Sequence, residues 1–289
     1  MPPGSLSSLP AASAAAIAMP RSLATLLQRC LQIATLACLL FGLAAPARAQ
    51  GVPLDDEQLS EVWGQALLTL ENTSLNGLEF TRLTLGADVK LNANFTNVRL
   101  GEYSYSTRTG TGADIDIGAL RFGRSDGTDA QRVVSITDPY FEFVYRSAVD
   151  GPGREVVGMR LGFKGIQGDI GIAMNTVSGS LRIDAGSAGV IDSRNDTLGG
   201  KRWDGTSCAS GSSCPLALSQ INMLTAGDAN GASRDFFVAV LKQAVQFPTV
   251  NGVSSDAAMA GFWLNWRDRL VASRINQTIP VNLPKAGGG

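Results

Sequence analysis

From residue 67 to about residue 184 the apolar residues recur at every second position, and this period limits what the chain can fold into. Leu83-Thr84-Leu85, Val89-Lys90-Leu91, Val98-Arg99-Leu100 and Ile115-Asp116-Ile117 alternate as half-buried β-strands do, because successive strand side chains point to opposite faces. Tyr140-Phe141-Glu142-Phe143-Val144-Tyr145 reads as a strong strand, opened by Asp138-Pro139 and closed near Asp150-Gly151-Pro152-Gly153. Residues 156–163, 166–174 and 177–183 continue the series, with Gly-rich turns such as Gly110-Thr111-Gly112 and Asp126-Gly127 between strands. The pattern predicts a mainly β fold, an antiparallel β-sandwich or a curved β-sheet.

Within residues 140–145 one face carries Tyr140, Glu142 and Val144 and the other Phe141, Phe143 and Tyr145. The second is the more apolar and is expected to point inward. Four segments share an apolar-polar-apolar-Gly ending: Leu83-Thr84-Leu85-Gly86, Val98-Arg99-Leu100-Gly101, Leu120-Arg121-Phe122-Gly123 and Met159-Arg160-Leu161-Gly162. Their spacing is uneven, so they are not a solenoid repeat. They predict strands turning at a similar level, with Arg99, Arg121 and Arg160 as an outward, solvated row; an anion-binding ladder is the alternative. Together with Tyr103 and Tyr105 these arginines form the expected interaction surface.

Residues 19–49 read as a secretory signal peptide. Arg21 and Arg29 precede a short apolar core over residues 33–43, and Ala47-Arg48-Ala49 supplies the small-x-small cleavage pattern. The core is shorter than the roughly 20 residues a spanning helix needs. Met19 looks like the natural start, leaving residues 1–18 upstream of it. Cys38 lacks the aliphatic residue three positions before it that a lipidation site would carry. Cleavage after Ala49 would leave residues 50–289 as a single β-rich exported domain with 21 basic and 25 acidic residues. That mild acidity, with no basic block, argues against nucleic acid and anionic membrane surfaces as partners. No transmembrane segment is expected in the remaining chain.

In an oxidising compartment Cys208 and Cys214 are expected to pair as a disulfide, stapling a polar Gly/Ser-rich surface loop at about residues 192–215. Residues 54–66 have the marks of a short amphipathic helix. Asp55 can cap it with Gln58 three residues on, and Leu59, Val62, Trp63 and Ala66 share one face. Towards the C-terminus, Arg234-Asp235-Phe236-Phe237-Val238-Ala239-Val240-Leu241 fits a helix or buried strands, and Phe262-Trp263-Leu264-Asn265-Trp266 has the same ambiguity.

The chain has no histidine, which removes the commonest general base, the Ser/His and Cys/His pairs and most zinc and transition-metal sites. It has no phosphate loop, nucleophile elbow or dinucleotide fingerprint. Asp114, Asp116 and Glu142 are carboxylates that glycoside hydrolysis could use, but the two aspartates read as outward strand residues. The Asp/Asn-rich loops near residues 126, 192 and 228 lack EF-hand spacing and read as turns. No catalytic residues, cofactor or metal are therefore expected.

The segment Leu54-Asp55-Asp56-Glu57-Gln58-Leu59-Ser60-Glu61-Val62-Trp63-Gly64-Gln65-Ala66 resembles one that follows the signal in exported β-rich proteins of Gram-negative bacteria, Leu-x-Asp-x-x-Leu-Ser-x-Val-x-Gly-Gln-Ala. Some are labelled pilus-assembly (FilA-like) proteins and many have no known function. Phe80-Thr81-Arg82-Leu83-Thr84-Leu85-Gly86 and Gly112-Ala113-Asp114-Ile115-Asp116-Ile117 look similar too. The resemblance implies a non-catalytic surface or pilus-associated protein making contacts with envelope partners, in the periplasm, at the outer-membrane surface or outside the cell. The alternative is a periplasmic module that holds a lipid or other apolar ligand in a curved sheet.

Overall fold

The computed structural model describes residues 67–104, 111–147, 153–209, 211, 213–250 and 252–283. The expected helix at 54–66, the signal segment and Tyr105 lie outside these residues. The described chain is β-structure throughout: β1 Leu68–Leu75, β2 Leu78–Leu85, β3 Asp88–Leu91, β4 Ala93–Leu100, β5 Tyr103–Ser104, β6 Thr111–Gly112, β7 Ile115–Phe122, β8 Val134–Ser147, β9 Arg154–Val177, β10 Gly179–Asp184, β11 Val190–Asp192, β12 Ile221–Ala226, β13 Phe237–Leu241, β14 Gly261–Trp266 and β15 Leu270–Ile275. Among the described residues helix is limited to short 3-10 turns, and no helix is long and apolar enough to cross a membrane. The ambiguous C-terminal runs are strands, β13 and β14. Tertiary pairing decides such short apolar segments, since period alone does not.

The organising strand is β9, 24 residues long. Along one edge it pairs antiparallel with β8 over residues 154–167 and then with β7 over residues 170–177. Along the other it pairs with β13 and then β12. Gly168, at φ 138°, stands where pairing passes from β8 to β12 and β7, a backbone conformation open in practice only to glycine. From β9, pairings run through β13, β14, β10, β15 and β12 back to β9, a closed circuit whose β10–β14 and β10–β15 steps are parallel. Beyond that circuit β8, β2 and β1 extend the sheet as a wing, and β4 is added outside β7.

Two cores result. The larger gathers Ile115, Ile170, Leu181, Leu224, Leu264 and Trp266 between facing strands. The smaller gathers Phe80, Val144, Phe237, Phe247 and Trp263 under the β13–β14 connection, which is pinned by the Val245–Ala258 bridge.

Three expectations are corrected. On β8 it is Tyr140, Glu142 and Val144 that are buried, whereas Phe141 is 46% exposed and Phe143 is exposed beside it. Arg160, expected outside, is only 1% exposed. The polar stretch 192–215 is not simply a surface loop: Cys208 and Cys214 are bonded with Cα atoms 5.9 Å apart, but Trp203 is fully buried and its backbone pairs with Val177.

Gly179 begins β10 where it runs against β14, and a Cβ there would collide with the Leu264 carbonyl oxygen. Gly179→Ala should therefore lower the urea-unfolding free energy by about 1–3 kcal/mol, the usual cost of overpacking. Gly118→Ala, whose methyl would meet only ordinary contact with Ala173, should change it by less than about 0.5 kcal/mol.

Candidate functional site

Directly opposed residues of an antiparallel sheet point to the same face. Glu71 therefore stands beside Arg82, Arg82 beside Glu142, and Glu142 beside Arg160, across β1, β2, β8 and β9. The charges alternate along this row. Glu142 Oε1 accepts from Arg82 Nε at 2.9 Å and its Oε2 from Arg160 Nε at 2.6 Å, so both oxygens are engaged. Arg82 also lies 3.5 Å from Glu71 at the more exposed end. The cover over Arg160 is aromatic. Its guanidinium carbon sits 4.1 Å from the centroid of Phe247 and 4.9 Å from that of Phe237, and its NH2 group donates to the Pro248 carbonyl. The Tyr140 ring lies within reach of both Arg82 and Arg160, and burial pushes its hydroxyl above the ordinary tyrosine value.

The opposite face of the same strands is apolar. Leu70 opposes Leu83, Leu83 opposes Phe141, Phe141 opposes Leu161, Leu161 opposes Val238, and Val238 opposes Leu264. A second row runs from Phe143 through Met159 and Val240 to Phe262. On the wing these side chains are open to solvent: Leu70 is 62% exposed, and Leu83, Phe143 and Leu161 are each 38% exposed. Towards β13 and β14 the same row enters a cavity of about 110 Å³. Its fifteen lining residues are all apolar, among them Val98, Ile117, Ile172, Val238, Leu264 and Trp266. One apolar surface thus runs from inside the fold onto an open sheet face. Contiguous exposed apolar surface of this kind marks a contact or binding site.

The expected arginine–tyrosine surface is not assembled. Arg99 pairs with Glu102 at 2.9 Å, Arg121 donates to the Pro280 carbonyl at 2.8 Å, and Arg160 belongs to the buried ladder. Tyr103 instead donates to Asp114 and has the Arg202 guanidinium over its ring. Asp114, expected to face outward, is fully buried. It accepts from the Phe262 N–H at 2.9 Å and from Ser178, with Lys201 and Arg202 each 3.5 Å away, and so ties the start of β7 to β14 and to the 192–215 stretch. Asp116 is half-buried and accepts from Asn175. Glu142 and Asp114 are each surrounded by the protein's own cations and donors, an arrangement that makes structural anchors of them. The apolar row was missed because it depends on strand register, which the sequence does not show.

A second polar cluster lies beside a pocket formed partly by Ser180, Arg194, Asp256 and Trp263. Arg267 donates to both oxygens of Asp192, at 2.9 and 2.7 Å, and Arg194 to both oxygens of Asp256, at 2.9 and 2.6 Å. Burial pushes the Asp192 carboxyl up, but donation from Arg267 and the Arg194 backbone outweighs it and holds the group below its ordinary value. Asp256 is held down chiefly by Arg194, against burial. Asp235 is the opposite case, raised by burial although the Asp268 and Arg267 backbones donate to it.

A carboxylate with a lowered folded pKa stabilises the fold above its unfolded pKa, and that contribution is lost as pH falls through the folded value. Asp256→Asn should thus cost about 1 kcal/mol at pH 7, the scale of a partly solvated ion pair. In urea titrations that cost should shrink as pH is taken below the ordinary carboxyl value of 3.8. Compared with known proteins, the chain matches no family model, no curated protein and no solved structure.

Proposed function

We propose that this is a non-catalytic exported protein of the cell envelope, surface- or pilus-associated, that works by holding a protein partner against the open apolar face of β1, β2, β8 and β9. The observation that carries this reading is the row Leu70, Leu83, Phe141 and Leu161, which presents large apolar side chains to solvent while the opposite face buries charge. Aromatic and aliphatic anchors on a rigid sheet are the usual material of a contact surface. Among the described residues β1 pairs only with β2, so its outer edge also offers main-chain groups for strand addition. Export is supported by the signal pattern ending at Ala47-Arg48-Ala49 and by the use of cysteine as a disulfide.

A second reading, a lipid or other apolar ligand held in the curved sheet, is favoured by the continuity of the face with the all-apolar cavity. An apolar cavity of about 150 Å³ takes up benzene, so a space of this order suits a ring or a short stretch of acyl chain.

Cross-linking in cells, followed by mass spectrometry of both protein and extracted lipid, separates the two. Phe141→Asp and Leu161→Asp should abolish the cross-link to an envelope protein while the β signal in circular dichroism stays unchanged. An unchanged cross-link would overturn the first reading. Loss of a co-purified lipid instead would establish the second.

A further inference from the structure

The open face is too apolar to be left bare in water, and the chain carries a segment that matches it. The described fold begins at Leu67, and the thirteen preceding residues, 54–66, place Leu59, Val62, Trp63 and Ala66 at helical spacing on one side. Glu57 and Glu61 fall on the other. The segment leads directly into β1, whose Leu68 and Leu70 form the rim of the open face. Leu68 opposes Leu85 at the end of the hairpin where the chain enters, one step along the strand from the Leu70–Leu83–Phe141–Leu161 row.

We propose that residues 54–66 fold back as an amphipathic helix and cover this face, with Leu59, Val62 and Trp63 set against Leu83, Phe141 and Leu161. A partner would have to displace the helix to reach the sheet. Only the displacement rests on the reading of this face as a contact site; the covering itself needs no partner. The reach is sufficient. From β1 to β9 is three strand spacings, about 14 Å at roughly 4.8 Å each. Thirteen helical residues extend about 20 Å at 1.5 Å per residue. The segment also has the right sidedness, since its acidic face would remain in water while its apolar stripe replaces solvent over Phe141 and Leu161. The link from Ala66 to Leu68 is short, so the helix is held near the sheet at high effective concentration and need not bind tightly.

The chain provides its own reporter. Of its four tryptophans, Trp203, Trp263 and Trp266 are at most 5% exposed, so access of a polar quencher reports on Trp63. In protein recovered from its own cells, with no partner present, acrylamide and iodide should quench the fluorescence weakly. Val62→Asp, which alters no described contact, should raise the quenching several-fold, and Phe141→Asp should do the same from the other side of the contact. Free quenching in the natural protein, or no increase with Val62→Asp, would overturn the proposal. So would an increase with Val62→Asp that Phe141→Asp fails to reproduce, because the helix would then dock elsewhere. Partner cross-linking does not enter this readout, so either idea can fail alone.

Discussion

Glu142 is held between two guanidinium groups in the interior, and the rest of the wing follows from that placement. A buried carboxylate with one cation would still leave lone pairs to satisfy. Here Arg82 takes one oxygen and Arg160 the other, while Phe247, Phe237 and Tyr140 pack around the arginines. Such a network contributes little net stability against an apolar core of the same shape, but breaking it is costly. Its effect is to fix which face is inside. Because strand side chains alternate, committing Glu142 inward commits Phe141 and Phe143 outward, and the same register turns Leu83 and Leu161 the same way.

Strand β9 carries that choice through the molecule. Its first half belongs to the wing and its second half to the larger core, with Gly168 at the change of partners. The apolar row exposed on the wing is therefore the row that lines the cavity between β13, β14 and the strands facing them. A single surface of this kind can take an elongated apolar group or the apolar side of a helix.

Much of the β architecture was legible in the sequence. Alternation marked β2, β4, β7, β8 and β9, because each strand shows different environments to its two sides. The rule that the more apolar face points inward failed at residues 140–145. Two charged residues can be buried there only because partners four strands wide complement each other, and that complementarity appears only once register is known. The apolar-Arg-apolar-Gly endings looked alike, yet Arg99 and Arg121 stay near the surface while Arg160 is buried under Phe247. The 192–215 stretch looked like surface by composition. Trp203, a large apolar residue in a polar run, was the signal that it folds back into the body. Helix and strand could not be separated at residues 234–245, since β13 is buried through pairing with both β9 and β14.

The direct test of the buried ladder is a double-mutant cycle between Glu142 and Arg160, using Glu142→Gln, Arg160→Met and the two combined, with unfolding free energy as the readout. A desolvated pair in one network should couple by about 2–3 kcal/mol, and each single change should be strongly destabilising. Coupling below about 0.5 kcal/mol, with both single changes near neutral, is the behaviour of a solvated surface pair and would mean that the aromatic side of β8 faces the interior.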